Sequence, residues 1–148
     1  MLSVSGFCFS QLKSGTFAEW EIQQKINPKP TIIHLYTDWC SVCKIEKFGI
    51  EKDKDLVQFI NENFYFINFE AEKTKNKINF QGQEFNYISN GNSGIHELAL
   101  AFSKNKTQPV YPLWIILDEN GKLVFYQEGI FKPEELKEKI QNSIYKNL

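Results

Sequence analysis

The sequence predicts one three-layer α/β domain, with a mixed central sheet, helices on both faces and an inserted small β-hairpin. Length is the first observation behind that expectation, because 148 residues are close to the usual size of one domain and leave little room for a second. The second is the alternation of β-branched, strand-length runs with segments whose apolar residues recur at helical spacing. The third is Asn120-Gly121 between two apolar runs, the strongest short signal for an antiparallel hairpin.

Taken in order, Thr16-Phe17-Ala18-Glu19 fits a capping box, in which the Thr hydroxyl and the Glu carboxylate satisfy free amides at a helix start. That helix is expected to run to about Ile26. Pro28 and Pro30 then end it, because they lack amide donors and push their predecessors out of helical geometry. Thr31 to Tyr36 is β-branched and aromatic without clean alternation, as a central strand covered on both faces would be. A helix to about Gly49 follows, then a second over roughly Asp53 to Glu62 carried by Leu56, Val57 and Ile60. Phe64 to Phe69 reads as another buried strand. Ile95, Leu98, Ala99 and Phe102 have the spacing of a one-faced helix, with Asn92 or Ser93 as its cap. Leu113 to Leu117 and Lys122 to Tyr126 flank the Asp118-Glu119-Asn120-Gly121 turn, and Pro133 opens a last helix striped by Leu136, Ile140 and Ile144. Between Glu70 and Ser93 a polar stretch holds Ile78, Phe80, Phe85 and Tyr87 around Gly82. It reads as the small hairpin, either a surface decoration or a docking or gating element beside the site.

Composition narrows the function classes. Lys plus Arg total 17 and Asp plus Glu 18, so the basic footprint of a nucleic-acid binder is missing. With 42% hydrophobic and 24% charged residues the chain is too apolar for intrinsic disorder. No run of about 20 apolar residues is present, so no membrane span is expected. Three cysteines are too few for a disulfide framework, which leaves redox or metal chemistry as the use of Cys40 and Cys43.

Residues 1–10, MLSVSGFCFS, are apolar and small, with small residues at Cys8 and Ser10 fitting a cut after Ser10. They are expected to be the remnant of a secretory signal whose start lies upstream, which would place residues 11–148 outside the cytoplasm, in a periplasm. The alternative is a native terminus on a cytoplasmic protein. A lipidated Cys8 is disfavoured by Phe7 before it.

Asp38-Trp39-Cys40-Ser41-Val42-Cys43-Lys44 follows the expected central strand and opens the next helix. At a helix start Cys40 faces free amides and the positive end of the helix dipole, which stabilise a thiolate. Cys43, one turn along the same face, is close enough for a reversible disulfide and is expected to sit deeper. Trp-Cys-x-x-Cys-Lys after a strand, with Tyr111-Pro112 before the Leu113 strand and Gly129 after the last strand, resembles the thioredoxin superfamily over about Thr16 to Ile144. The nearest likeness is to extracytoplasmic bacterial thioredoxin-like and disulfide-interchange domains. That resemblance implies a thioredoxin-like fold and a bacterial thiol:disulfide oxidoreductase in which Cys40 attacks and Cys43 resolves. It also implies a cis bond at Pro112, and Trp39, Tyr111 and Pro112 shaping the substrate surface. The implied partners are protein or peptide disulfides and a redox partner protein, with no cofactor, no nucleic acid and a monomeric state.

Two positions depart from that pattern. His34 stands where the superfamily usually has a buried acid, and Leu113 where it commonly has Thr. A neutral imidazole at His34 is chemically able to take the Cys43 proton, and a satisfied core histidine is the alternative. Asp38 is expected to be a solvated loop residue. Against the oxidoreductase stand a noncatalytic interaction module of the same fold and a thiolate metal site using His34 or Cys8. The metal site is disfavoured because no second C-x-x-C or H-x-x-H supplies the other half of the ligands.

Overall fold

The computed structural model describes residues 11–145, so residues 1–10, expected to be a signal remnant, lie outside the described residues with Cys8. Thirteen elements follow in the order α1 (Phe17–Ile26), β1 (Thr31–Tyr36), α2 (Ser41–Lys52), α3 (Lys54–Asn63), β2 (Tyr65–Glu70), β3 (Ile78–Phe80), β4 (Gln83–Phe85), β5 (Tyr87–Asn90), β6 (Ser93–His96), α4 (Glu97–Phe102), β7 (Leu113–Leu117), β8 (Leu123–Glu128) and α5 (Pro133–Tyr145). The four-stranded sheet has the order β2-β1-β7-β8, with β1 parallel to β2 and antiparallel to β7. Thr31 to Tyr36 is therefore a central strand. The fold is the thioredoxin-like mixed α/β arrangement.

Alternation along the strands sorts the core into two. Ile33, Leu35, Ile67, Phe69, Leu113 and Ile115 point to the side of α1 and α4. Ile32, Phe66, Trp114 and Ile116 point to the side of α2, α3 and α5, where Ile50, Leu56, Ile60, Leu136 and Ile140 meet them. Because β1 and β7 are covered on both faces, their runs carry no polar alternation. The capping box at Thr16 is present in full. Upstream of it, Ser14 bridges to the outer edge of β2, where Gly15 N–H donates to the Phe66 carbonyl at 2.9 Å.

The structure corrects several expectations. The strand expected at Phe64 begins at Tyr65, and Phe64 instead caps α3. The last strand runs from Leu123 to Glu128 rather than from Lys122 to Tyr126. Neither Asn92 nor Ser93 caps a helix. Ser93 to His96 pairs with Tyr87 to Asn90 across Gly91 at φ +64°, so the turn uses the freedom that only glycine has there. His96 is the cap of α4, its ring Nδ1 accepting from Leu98 N–H at 3.2 Å.

The Glu70 to Ser93 stretch thus holds two hairpins rather than one, and it is not a surface decoration. Phe80 and Phe85 are buried within the α1-side core. Phe80 lies 5.4 Å from Phe17 and 5.3 Å from Phe102, edge-on to both. A stretch that looks polar in sequence anchors itself with its few aromatic side chains, each of which removes a large apolar area from water.

Candidate active site

β1 carries His34 into the core and then releases the chain into a tight turn, in which Cys40 N–H donates to the Thr37 carbonyl at 3.1 Å. That turn makes Cys40 the N-cap of α2, with its Sγ accepting from Cys43 N–H at 3.2 Å. Cys40 and Cys43 are joined in a disulfide across a Cα separation of 5.3 Å. Cys40 is 5% exposed and Cys43 3%, so the expected contrast in depth is slight and both sulfurs are nearly covered in the oxidised form.

Trp39 stands 67% exposed beside the disulfide and is held in place. Its indole N–H donates to Glu72 Oε2 at 2.7 Å, and its ring meets Tyr111 edge-on at 6.1 Å. The Tyr111–Pro112 peptide is cis, and the Pro112 carbonyl accepts from Gly129 N–H at 2.9 Å. Gly129 has φ +102°, a conformation other residues rarely take. Trp39, Tyr111 and Pro112 therefore converge from two distant stretches of chain.

The root of the insertion clamps this loop. The Glu70 carboxylate accepts from the backbone N–H of Asp38 at 3.2 Å, of Glu72 at 3.0 Å, and of Lys73. Lys73 also pairs with Asp38, so Asp38 is tied down rather than simply solvated. The hydrogen bond and charge of Asp38 push the Lys73 ammonium above its ordinary range. Burial, then the charges of Glu72 and Glu70, pushes the Tyr111 phenol well above its ordinary value, and its hydroxyl finds no partner. Burial, then Asp38 and Glu70, does the same to Tyr36.

Behind the disulfide lies a group that sequence reasoning missed. Glu46, one turn after Cys43 on the buried face of α2, has a side chain with no solvent exposure. Its Oε2 accepts from Trp114 Nε1–H at 3.1 Å and from Phe131 N–H at 2.6 Å. Its Oε1 lies 3.1 Å from His34 Nε2, and His34 Nδ1 lies 2.7 Å from Asn68 Oδ1. The His34 ring is packed 4.3 Å from Trp114. Both ring nitrogens of His34 are thus engaged, one by Asn68 and one by Glu46. The available signal was the spacing, since Cys43, Glu46 and Ile50 fall on one helical face.

Among the described residues no three His, Cys, Asp or Glu side chains gather into a metal-binding set, and none of the helices is long and apolar enough to cross a membrane.

Three solved structures illustrate what the fold is similar to. DsbH oxidoreductase superposes with a TM-score of 0.60 at 17% identity, over 90% of this chain and 85% of that one. A thioredoxin-fold protein from Helicobacter pylori gives 0.56 at 19% identity, over 78% and 69%. The oxidised C-terminal domain of DsbD from Neisseria meningitidis gives 0.54 at 18% identity, over 89% and 98%. No curated protein matches the sequence. The model of the thioredoxin-like domain matches residues 17–144, nearly the whole described fold including the Cys40–Cys43 disulfide and the Tyr111–Pro112 loop, and the chain belongs to that family.

Proposed function

We propose that this protein is a thiol:disulfide oxidoreductase that reduces or exchanges disulfides in proteins or peptides. The observation that carries this reading is the position of Cys40 as the cap of α2, disulfide-bonded to a cysteine one turn along. In the reduced state the amide that meets Cys40 Sγ and the positive helix end favour its thiolate, which is the nucleophile in exchange. That thiolate attacks one sulfur of the substrate disulfide, and the other sulfur departs as a thiolate. Cys43, deprotonated, then attacks Cys40 Sγ, which reforms the Cys40–Cys43 bond and expels the second substrate sulfur. Two electrons pass to the substrate, and a redox partner protein carrying a dithiol resets the pair. Trp39, Tyr111 and Pro112 form the surface that an extended substrate segment contacts.

The test is reduction of insulin disulfides by the purified protein with dithiothreitol as reductant. Turnover above the uncatalysed rate is expected from the parent and is expected to vanish in Cys40→Ala. An absence of turnover in the parent would favour a noncatalytic interaction module. We place this activity outside the cytoplasm, in a bacterial periplasm, on the export-signal character of residues 1–10. Intact-mass measurement of the protein from its native host checks this, and a mature chain that keeps Met1 to Ser10 contradicts it.

A further inference from the structure

We propose that the solvent-facing row of Val42, Ile45 and Phe48 on α2 is the docking surface for the folded dithiol protein that returns electrons to the Cys40–Cys43 disulfide. The proposal rests on the exchange reaction above and gives its redox partner a surface.

The buried face of α2 is Cys43, Glu46 and Ile50. Away from it, Val42 is 43% exposed, Ile45 65% and Phe48 62%. Their spacing of three residues makes one row, about 9 Å long at the helical rise. Trp39, also exposed, stands three residues ahead of that row at the disulfide end. Among the described residues no other helix or strand exposes three large apolar side chains. Single exposed apolar residues are ordinary, whereas a row that begins at a reactive group marks an interaction surface. The isolated chain gains nothing from these residue types, since Glu, Gln or Lys would hold the solvent face of a helix better than Val, Ile or Phe.

Shape and charge identify the occupant. A helix face is convex and its backbone hydrogen bonds are internal, so it offers no strand edge to an extended peptide and fits the apolar groove of a folded protein. The exposed cations of α2 are Lys44, Lys47 and Lys52. Lys47 pairs with Glu51 at 3.9 Å, and Lys52 lies over the Phe48 ring at 4.1 Å. The complementary groove is therefore rimmed by carboxylates. An extended substrate segment already has its surface in Trp39, Tyr111 and Pro112. The row stands exposed in the oxidised form, which is the form a reductant must recognise. Both sulfurs are nearly covered in that form, so an incoming thiolate gains from being held in place over them.

From the docked position the partner's thiolate attacks Cys40 Sγ, and Cys43 Sγ departs as a thiolate. The partner's second thiolate then breaks the intermolecular bond and releases Cys40. The partner's dithiol becomes a disulfide, and its two electrons and two protons end on Cys40 and Cys43.

Re-reduction in the native host tests this. Cells receive a brief pulse of diamide, and the return of the dithiol form is followed by trapping free thiols with a maleimide-linked polymer and reading the mass shift. Ile45→Ser combined with Phe48→Ser is expected to slow recovery about tenfold, the scale of truncating central apolar contacts. Lys44→Glu combined with Lys52→Glu is expected to slow it by a smaller factor, because rim charges act on encounter. Ile22→Ser, which removes a comparably exposed apolar side chain from α1, is expected to recover with the parent. Recovery of the double Ser variant at the parent rate overturns the proposal. Equal slowing when the purified variant is reduced by dithiothreitol alone also overturns it, by placing the defect in the disulfide. A dithiol fraction above the parent's before the pulse would assign the row to substrates, and a parent dimer in sedimentation that the Ser substitutions dissolve would assign it to a second copy; either result overturns the proposal. If the parent never regains the dithiol form, the exchange reading itself falls, and the docking role with it.

Discussion

The two faces of the central sheet are built on different principles. On the α1 side, Phe17, Trp20, Phe69, Phe80 and Phe85 interlock with aliphatic strand residues, and the one indole N–H there donates to Thr31 Oγ1 at 2.7 Å. On the α2 side an equally apolar shell of Ile32, Ile50, Phe66 and Ile116 surrounds a buried carboxylate and a buried imidazole. Both faces are close to dry, so the contrast is in what each can do. The first buries one imidazole, His96, whose ring nitrogens meet only the Asn76 carbonyl and the Leu98 N–H. The second encloses a carboxylate and an imidazole in direct contact with each other, with the carboxylate one turn along α2 from Cys43.

The sharpest break in that contrast is expected from Glu46→Ala. It strands the Trp114 and Phe131 N–H groups and one ring nitrogen of His34 in an apolar shell, and removing one partner of a buried pair typically costs about 3–5 kcal/mol. Urea unfolding of the variant should show a loss of that size, with Glu46→Gln losing clearly less. Next in size is Phe80→Ala on the other face, where the transfer and cavity terms for a buried Phe amount to about 3 kcal/mol. Here the disulfide chemistry should be untouched, so the rate of mixed-disulfide decay relative to its formation is expected to equal that of the parent. A change in that ratio would mean that the two faces are coupled.

The smallest expected effect concerns His96 beside Phe69. Its Nδ1 accepts from Leu98 N–H and its Nε2–H donates to the Asn76 carbonyl at 3.0 Å, an arrangement only the neutral ring can make. Burial lowers its affinity for a proton below the ordinary value of 6.5, with the Asn76 and Glu97 contacts opposing. The unfolded chain therefore binds the proton more readily than the folded one, and stability rises with pH across this window. The contribution is complete above 6.5 and is lost as pH falls from 6.5 toward the lowered folded value. Urea midpoints of the parent should decline over that window, and those of His96→Asn, which keeps a capping oxygen, should decline less. Equal slopes would contradict this assignment.

What could be read from the sequence depended on the range of the interactions. The Thr16 capping box, the β1 and β7 runs, the C-x-x-C between a strand and a helix, and Pro112 with Gly129 all have local or short-motif signatures, and each is where the residues put it. The second hairpin turns at Asn90-Gly91, and its last strand is obscured by the helical spacing of Ile95 with Leu98 and Phe102. Ile95 shares that spacing although it belongs to β6. Burial of Phe80 and Phe85 was hidden because strands of three residues show no periodicity. Glu46 was the least legible. Its satisfying groups come from Trp114 and Phe131, 68 and 85 residues away, and an acid on a helix reads as surface until those partners are in place.

The proposed exchange requires Cys40 and Cys43 to divide attack and resolution between them. The most direct measurement is intact mass of the Cys43→Ala and Cys40→Ala variants after incubation with a peptide disulfide. A stable adduct of one peptide half is expected on Cys43→Ala, released by dithiothreitol, and none on Cys40→Ala. An adduct on Cys40→Ala with none on Cys43→Ala would contradict it by reversing the roles, and adducts on neither would remove the exchange chemistry.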